Sequence, residues 1–377
     1  MERIPITRPF FEEDIADILG DVRKILKTGR LILGPYTERF EKEFADYIGV
    51  KHAIAVNSCT TALTICMRYF GVEGKEVIIP TNTFISSPNS VIFEGGRPVL
   101  ADMDPDTLCI TSEEVRKRIS GKTRGVMAVH IAGLVCPQIK EIKEICEDKN
   151  LFLLEDAAHA SGAMIDSKKA GSLGDAGCFS FYPTKIITTM TGGIITTNDS
   201  KLNEFARSLR HFGEGKKREV IEFGNDWVMS EISACLGIYQ LKRLDDYIKR
   251  RNEIAEKYTR LISKMDNIKP LPVPANVRHS YYRYATLLSK DIDVTKLAEA
   301  LKRRGIDTGS VYNPPCHLQP LYKKLFGFRE GMFPVADDIL PRILCLPVFI
   351  GLKDEEIGYI TDCLKEELEN DRNHSSG

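Results

Sequence analysis

Gly174-Asp175-Ala176-Gly177-Cys178-Phe179-Ser180-Phe181-Tyr182-Pro183-Thr184-Lys185 is the stretch on which the reading of this chain turns. Residues 178–182 have the aromatic character of a short buried strand, and Pro183 ends it by removing a backbone donor. Lys185 therefore sits on a turn directly after the strand. A lysine shielded from water is costly as a cation and loses its proton readily, which is how nucleophilic lysines arise. Taken alone, a surface lysine on a loop is the commoner case. The surrounding sequence decides between the two.

Strand and helix patterns alternate on both sides of this stretch. Helices are expected at 11–27 and 37–48, closed by Gly29 and Gly49. Strands follow at 53–56, 76–80, 98–101, 125–129 and 151–154, with helices at 60–70, 86–94, 112–119 and 138–149 between them. Beyond Lys185 come a strand at 194–197, a helix at 201–212, and a long helix or helix pair over 230–265. Strands that are apolar throughout and interleaved with helices indicate an α/β fold with a mostly parallel sheet covered on both faces. Ligands of such sheets bind beyond the carboxyl ends of the strands. The proline-punctuated segment 270–274 reads as a stiff connector. Strands at 281–288 and 344–347 and helices at 294–304 and 354–366 then indicate a smaller α+β C-terminal domain. The expected division is 1–250 and 251–377.

Composition narrows the function classes. The 377 residues are 43% hydrophobic and 28% charged, with a formal net charge of −1. This describes a globular protein with no electrostatic footprint for nucleic acid or an anionic membrane. The ten cysteines are scattered, without a Cys-x-x-Cys pair or metal-finger spacing. They read as reduced thiols of a cytoplasmic protein, and no metal site is expected. No apolar signal region opens the chain and no apolar run reaches a membrane span. Residues 373–377 read as a frayed tail.

Four pieces assemble around Lys185. Asn57-Ser58-Cys59-Thr60-Thr61 lies between a strand and a helix, where free amides and hydroxyls form either an ordinary N-cap or a phosphate cradle. Glu155-Asp156-Ala157-Ala158-His159 follows an apolar strand. Strand residues alternate in direction, so one of the two carboxylates should face the site, where an acid could hold a pyridine nitrogen protonated. His159 could act beside the same ring. Pro80-Thr81-Asn82-Thr83-Phe84 brings an aromatic side chain able to stack on a flat cofactor. The Ser180 hydroxyl could extend the phosphate cradle. Cradle, carboxylate, aromatic face and lysine are together what a pyridoxal 5′-phosphate site needs.

With these pieces in view, the chain resembles the DegT/DnrJ/EryC1/StrS family of sugar aminotransferases, a branch of the fold-type I transferases. The resemblance rests on an ordered set. It comprises Gly34-Pro35, Phe40-Glu41, Asn57 to Thr60, Pro80 to Phe84, Asp102-x-Asp104-Pro105-Asp106-Thr107, Val129-His130, Glu155 to His159 and Gly174 to Lys185. Thr196 to Asp199, Met229-Ser230-Glu231, His317-Leu318-Gln319-Pro320 and Leu346-Pro347 complete it. The resemblance implies Lys185 as the Schiff-base lysine, Asp156 as partner of the pyridine nitrogen, and His159 beside the ring. It implies Phe84 stacked on the cofactor, with Ser58, Cys59, Thr60 and Ser180 near the phosphate. Asn225 or Asp226 would reach the phosphate of a neighbouring subunit in a homodimer. Cys59 stands where glycine is usual, Val228 where arginine is frequent and Val311 where histidine is frequent. The implied reaction moves an amino group from L-glutamate or L-glutamine to a keto group of a nucleotide-linked deoxy sugar. A cyclitol or shikimate-like ketone is the alternative acceptor, and a non-catalytic regulator the remaining reading.

Overall fold

The computed structural model describes residues 3–375, with side chains through residue 370; the side chains of the tail at 373–377 lie outside the described residues. After a 3₁₀ turn at Glu12–Asp14, α1 (Ile15–Thr28) and α2 (Pro35–Ile48) lead into β1 (His52–Val56). Then α3 (Cys59–Phe70), β2 (Glu76–Pro80), α4 (Ser86–Phe93), β3 (Arg97–Ala101), α5 (Ser112–Arg118), β4 (Thr123–Val129), α6 (Ile139–Asp148) and β5 (Phe152–Asp156) alternate strictly. The short strands β6 (Met164–Ile165) and β7 (Lys168–Lys169) precede β8 (Ala176–Ser180), β9 (Gly193–Thr197) and α7 (Ser200–Leu209). Next come α8 (Glu231–Lys242), α9 (Leu244–Ile262), β10 (Ile268–Pro270), β11 (Val277–Arg278), β12 (Tyr284–Leu288) and α10 (Val294–Arg303). The chain closes with α11 (Pro320–Phe326), α12 (Pro334–Ile339), β13 (Ile343–Leu346) and α13 (Asp354–Ser375).

The main sheet runs β1-β9-β8-β5-β4-β2-β3. Among its strands only β9 is antiparallel to its neighbours, β1 and β8; the pairs β8–β5, β5–β4, β4–β2 and β2–β3 are parallel. Strands β5, β8 and β9 are buried along their whole length, as strands sandwiched between helical layers must be. Because β1, β2, β5 and β8 run the same way, the segments that leave them emerge at one edge. Ser58–Thr60, Phe84, Asp156 and Lys185 are carried on those segments, so the topology alone brings them together.

Three buried carboxylates explain motifs that have no chemistry of their own. Glu231, which opens α8, accepts the amides of Gly34, Tyr36 and Thr37, each at 2.9 Å. It thereby satisfies the free N–H groups at the start of α2. A Cβ on Gly34 would fall 2.5 Å from Glu231 Oε2, so Gly34-Pro35 and Met229-Ser230-Glu231 form one contact. Glu41 accepts the Ala55 amide at 2.9 Å and pairs with Arg207 and the buried Arg210, joining α2 to β1 and α7. Glu155 performs a similar task for the loop before β8, as detailed below.

A second three-stranded antiparallel sheet, β10-β12-β13, carries the C-terminal part, and β11-β6-β7 form a small third sheet. Several elements depart from the sequence reading. The strand expected at 281–288 begins only at Tyr284, because Tyr281 takes a left-handed backbone (φ 49°). The helix expected to 212 ends at Leu209, while the pattern at 230–265 resolves into the helix-pair alternative, with the break at Arg243. The connector at 270–274 begins inside β10. All ten cysteines are free and buried. Among the described residues no helix is long and apolar enough to cross a membrane, and no side-chain cluster could hold a metal ion.

Candidate active site

A cavity of about 410 Å³ opens at the carboxyl edge of the sheet. Ser58, Cys59, Thr60, Phe84, Asp156, His159, Ser180 and Lys185 all line it. These residues come from four strand ends and meet as the parallel topology requires.

The phosphate-sized end is built by the start of α3. Ser58 caps this helix, its hydroxyl accepting the Thr61 amide at 3.1 Å. The Cys59 and Thr60 amides belong to the first turn and have no intrahelical partner. With the helix dipole they make an anion site. Gly193 opens β9 against this turn: a Cβ there would sit 2.4 Å from the Ser58 carbonyl carbon and 2.5 Å from the Cys59 nitrogen. Only glycine lets the strand pass so close. The Thr60 hydroxyl donates to Ser86 at 2.9 Å, and Ser180, whose strand partner is Gly193, also lines the cavity.

The two adjacent acids have opposite fates. Asp156 faces the cavity, accepting the Ser87 hydroxyl at 2.7 Å and the Ala158 amide at 3.1 Å. Burial raises its proton affinity above the ordinary carboxylate range, opposed by the Ser87 and Ala158 bonds and the charge of Lys185. Glu155 points to the other face of β5. Its Oε1 accepts the Leu173 and Gly174 amides at 2.7 Å each; its Oε2 accepts Gly171 N–H and His130 Nε2–H at 2.8 Å each. The tautomer of His130 follows from Cys136, whose amide donates to Nδ1 at 3.1 Å.

Lys185 is half-buried, its Nζ 4.6 Å from the ring centroid of Tyr282. His159 stacks on that same ring at 4.1 Å, and its Nε2 lies 2.8 Å from the Tyr312 hydroxyl. Burial, with the charges of Lys185 and Arg283, holds His159 well below the usual histidine range, so the ring is neutral. Its Nδ1 is buried and has no partner among the described residues. Burial works to raise the Tyr282 phenol, but Lys185, Arg283 and a bond to Thr184 bring it below its ordinary value. Phe84 is 53% exposed at the cavity mouth, its ring 5.7 Å from Tyr312.

Asn225 and Asp226 lie outside this chain's cavity, exposed on the segment between α7 and α8. Asp226 reaches the site's edge only through its carbonyl, 3.4 Å from the Asn57 side-chain nitrogen. Ser87, Tyr282 and Tyr312 are site residues that the sequence did not single out. Tyr282 and Tyr312 are distant in the chain and reach the cavity through tertiary packing, for which no local spacing is a signal. Ser87 lies three residues beyond Phe84, and only the fold turns it toward Asp156.

These residues fit pyridoxal phosphate. A buried carboxylate aimed into the cavity suits a protonated pyridine nitrogen, the unpartnered His159 Nδ1 suits a polar ring substituent, and the α3 start suits the phosphate. Sheet topology and site together define a pyridoxal-phosphate-dependent transferase of fold type I. The chain belongs to the DegT/DnrJ/EryC1/StrS aminotransferase family, which it matches over residues 12–365. It is 35% identical to the GDP-perosamine synthase of Caulobacter vibrioides, over 98% of this chain and 99% of that protein. Among solved structures, S. venezuelae DesV superposes with a TM-score of 0.92 at 30% identity, covering 97% of this chain and 98% of that one. Spr1654 of Streptococcus pneumoniae, solved in its PLP form, gives 0.90 at 25% identity, covering 98% and 99%. The protein is a PLP-dependent enzyme of a sugar aminotransferase family.

Proposed function

We propose that this enzyme transfers an amino group from L-glutamate or L-glutamine to a keto group of a nucleotide-linked deoxy sugar. The observation that carries the reading is the convergence of Lys185, Asp156, His159 and the α3 start on one cavity. The nucleotide handle is supported by the likeness to a GDP-perosamine synthase. When bound, pyridoxal phosphate supplies an aldehyde for a lysine amine and a ring that takes up the electron pair left by a departing proton. Lys185 would hold the cofactor through its side-chain amine, and when that amine is free and neutral its Nζ would move the proton at the substrate carbon. The Asp156 carboxylate keeps the pyridine nitrogen protonated, with Ser87 and the Ala158 amide fixing its orientation. Ser58, Cys59, Thr60 and Ser180 would hold the phosphate, and Phe84 and the neutral His159 would flank the ring.

The working unit in this reading is a cytoplasmic homodimer, with the free cysteines supporting a reducing compartment. Phe212, Val220, Ile221 and the 91%-exposed Phe223 form an apolar segment beside Asn225 and Asp226. A second subunit covering this segment would bring those two residues to its neighbour's phosphate. The domain division near residue 250 is supported by α9: Leu244, Tyr247 and Ile248 pack into the large core, and Ile254, Ala255, Tyr258 and Ile262 into the C-terminal one.

The test is a panel of keto sugars on GDP, TDP and UDP, alongside a cyclitol ketone, each incubated with holoenzyme and L-glutamate and read by mass spectrometry. Amine gain confined to nucleotide-linked acceptors is expected. Turnover of the cyclitol alone overturns the reading.

A further inference from the structure

An amino donor that carries a carboxylate needs a cation near the reacting amine. The 410 Å³ cavity holds one cationic side chain on its walls, Lys185, and that amine is committed to the cofactor. Arg283 packs against the wall residue Tyr282 and itself lines a smaller, separate cavity. Its guanidinium carbon is 4.4 Å from the Tyr282 ring centroid, and Nη2 donates to the Tyr282 hydroxyl at 3.3 Å. Lys185 Nζ lies 4.6 Å from that same centroid, so the tyrosine ring stands beside both cations.

Arg283 lacks the partners that a shielded guanidinium ordinarily has. Among the described residues its buried Nη1 makes no hydrogen bond. Arg251 makes the contrast. Its Nη1 donates to the Tyr281 carbonyl at 2.8 Å and the Val348 carbonyl at 3.0 Å, tying α9 to the small domain. Arg251 also keeps a buried Nε without a partner, but its Nη1 bonds give it a structural task; among the described residues the Arg283 side chain bonds to the Tyr282 hydroxyl and its Nη1 has no partner. Its field already reaches the cavity, since Arg283 acts on His159, Tyr282 and Tyr312.

We propose that Tyr282 and Arg283 form the carboxylate subsite for the amino donor, the Tyr282 hydroxyl meeting the carboxylate at the wall and Arg283 supplying the positive charge behind it. This rests on the transaminase reading above and adds the residue pair that selects an amino acid over a simple amine. Arg283 is on this account a positioning residue that acts through Tyr282.

The experiment measures the two half-reactions separately, following the cofactor's absorbance. L-Glutamate converts the pyridoxal to the pyridoxamine form, and an amino sugar on its nucleotide does the same from the other side. Arg283→Gln is expected to lower kcat/KM for glutamate on the order of 10–100-fold, mostly through KM, with a loss for the amino sugar at least about tenfold smaller. Arg283→Lys should recover part of the glutamate loss, and Tyr282→Phe should share its direction. Retained cofactor absorbance shows that the variants are folded. If Arg283→Gln does not fold, Arg283→Lys and Tyr282→Phe carry the same comparison. Equal losses for both substrates, or an unchanged KM for glutamate, overturn the subsite. A wild-type protein inert to every amino acid and amino sugar tested overturns the transaminase reading itself, which is a different result.

Discussion

Replacing Glu155 by glutamine separates the roles of two adjacent acids. Glu155 is fully buried and receives four donors, two on each oxygen: Leu173 and Gly174 on Oε1, Gly171 and His130 on Oε2. A glutamine has one acceptor oxygen. Whichever way its amide is turned, its NH₂ faces two N–H donors, and His130 cannot relieve the conflict because Cys136 fixes its tautomer. Two buried donors left without acceptors, at about 1–3 kcal/mol each, put the loss at about 2–6 kcal/mol. That is a large fraction of the 5–15 kcal/mol typical of a folded protein. The assay is urea unfolding at saturating cofactor, combined with hydrogen exchange at the Gly171, Leu173 and Gly174 amides. Glu155→Gln should lower the midpoint and deprotect these amides, while the folded fraction keeps its cofactor absorbance. A change below about 0.5 kcal/mol with protection intact would refute the reasoning.

Asp156→Asn should do the reverse: near-normal stability and a fall in turnover on the order of 100-fold, measured as kcat with glutamate; near-normal activity would remove Asp156 from the chemistry. Acid should destabilise the chain through its buried histidines. Burial brings His279 down to about 3 and His159 well below 6.5, so between about pH 6.5 and 3 the unfolded chain binds protons that the folded chain refuses. Stability therefore falls as pH drops through this window, by up to about 1.4 kcal/mol per pH unit per histidine. His279→Asn keeps an acceptor for the Tyr281 amide, which Nδ1 takes at 2.7 Å, and should flatten the slope by one proton in urea titrations at pH 6.5 and 5; an unaltered slope would count against it.

Much of the site was legible because it hangs on local geometry. Ser58 and Lys185 follow strands and Asp156 ends one, and a parallel sheet brings such positions to one edge without further information. The division of labour between Glu155 and Asp156 follows from strand alternation alone, although which acid faces inward needed the pairing of β5 with β4 and β8. Tyr282, Tyr312 and Arg283 were not legible, because their place depends on how the C-terminal sheet docks on the large core. Tyr281 misled the strand boundary for a related reason: its left-handed backbone breaks a run whose composition is that of a strand. Asn225 and Asp226 show the same boundary from another side: within this chain they contact Leu209, Phe212 and Asn57 rather than the cavity, so the role expected of them cannot be read from one chain's contacts.

The most direct test of the account is the covalent bond to Lys185. Purified protein incubated with pyridoxal phosphate should turn yellow, and borohydride should bleach the colour while fixing one reduced phosphopyridoxyl group on the peptide containing Lys185. A colourless protein, or a label distributed over surface lysines with Lys185 unmodified, would contradict it.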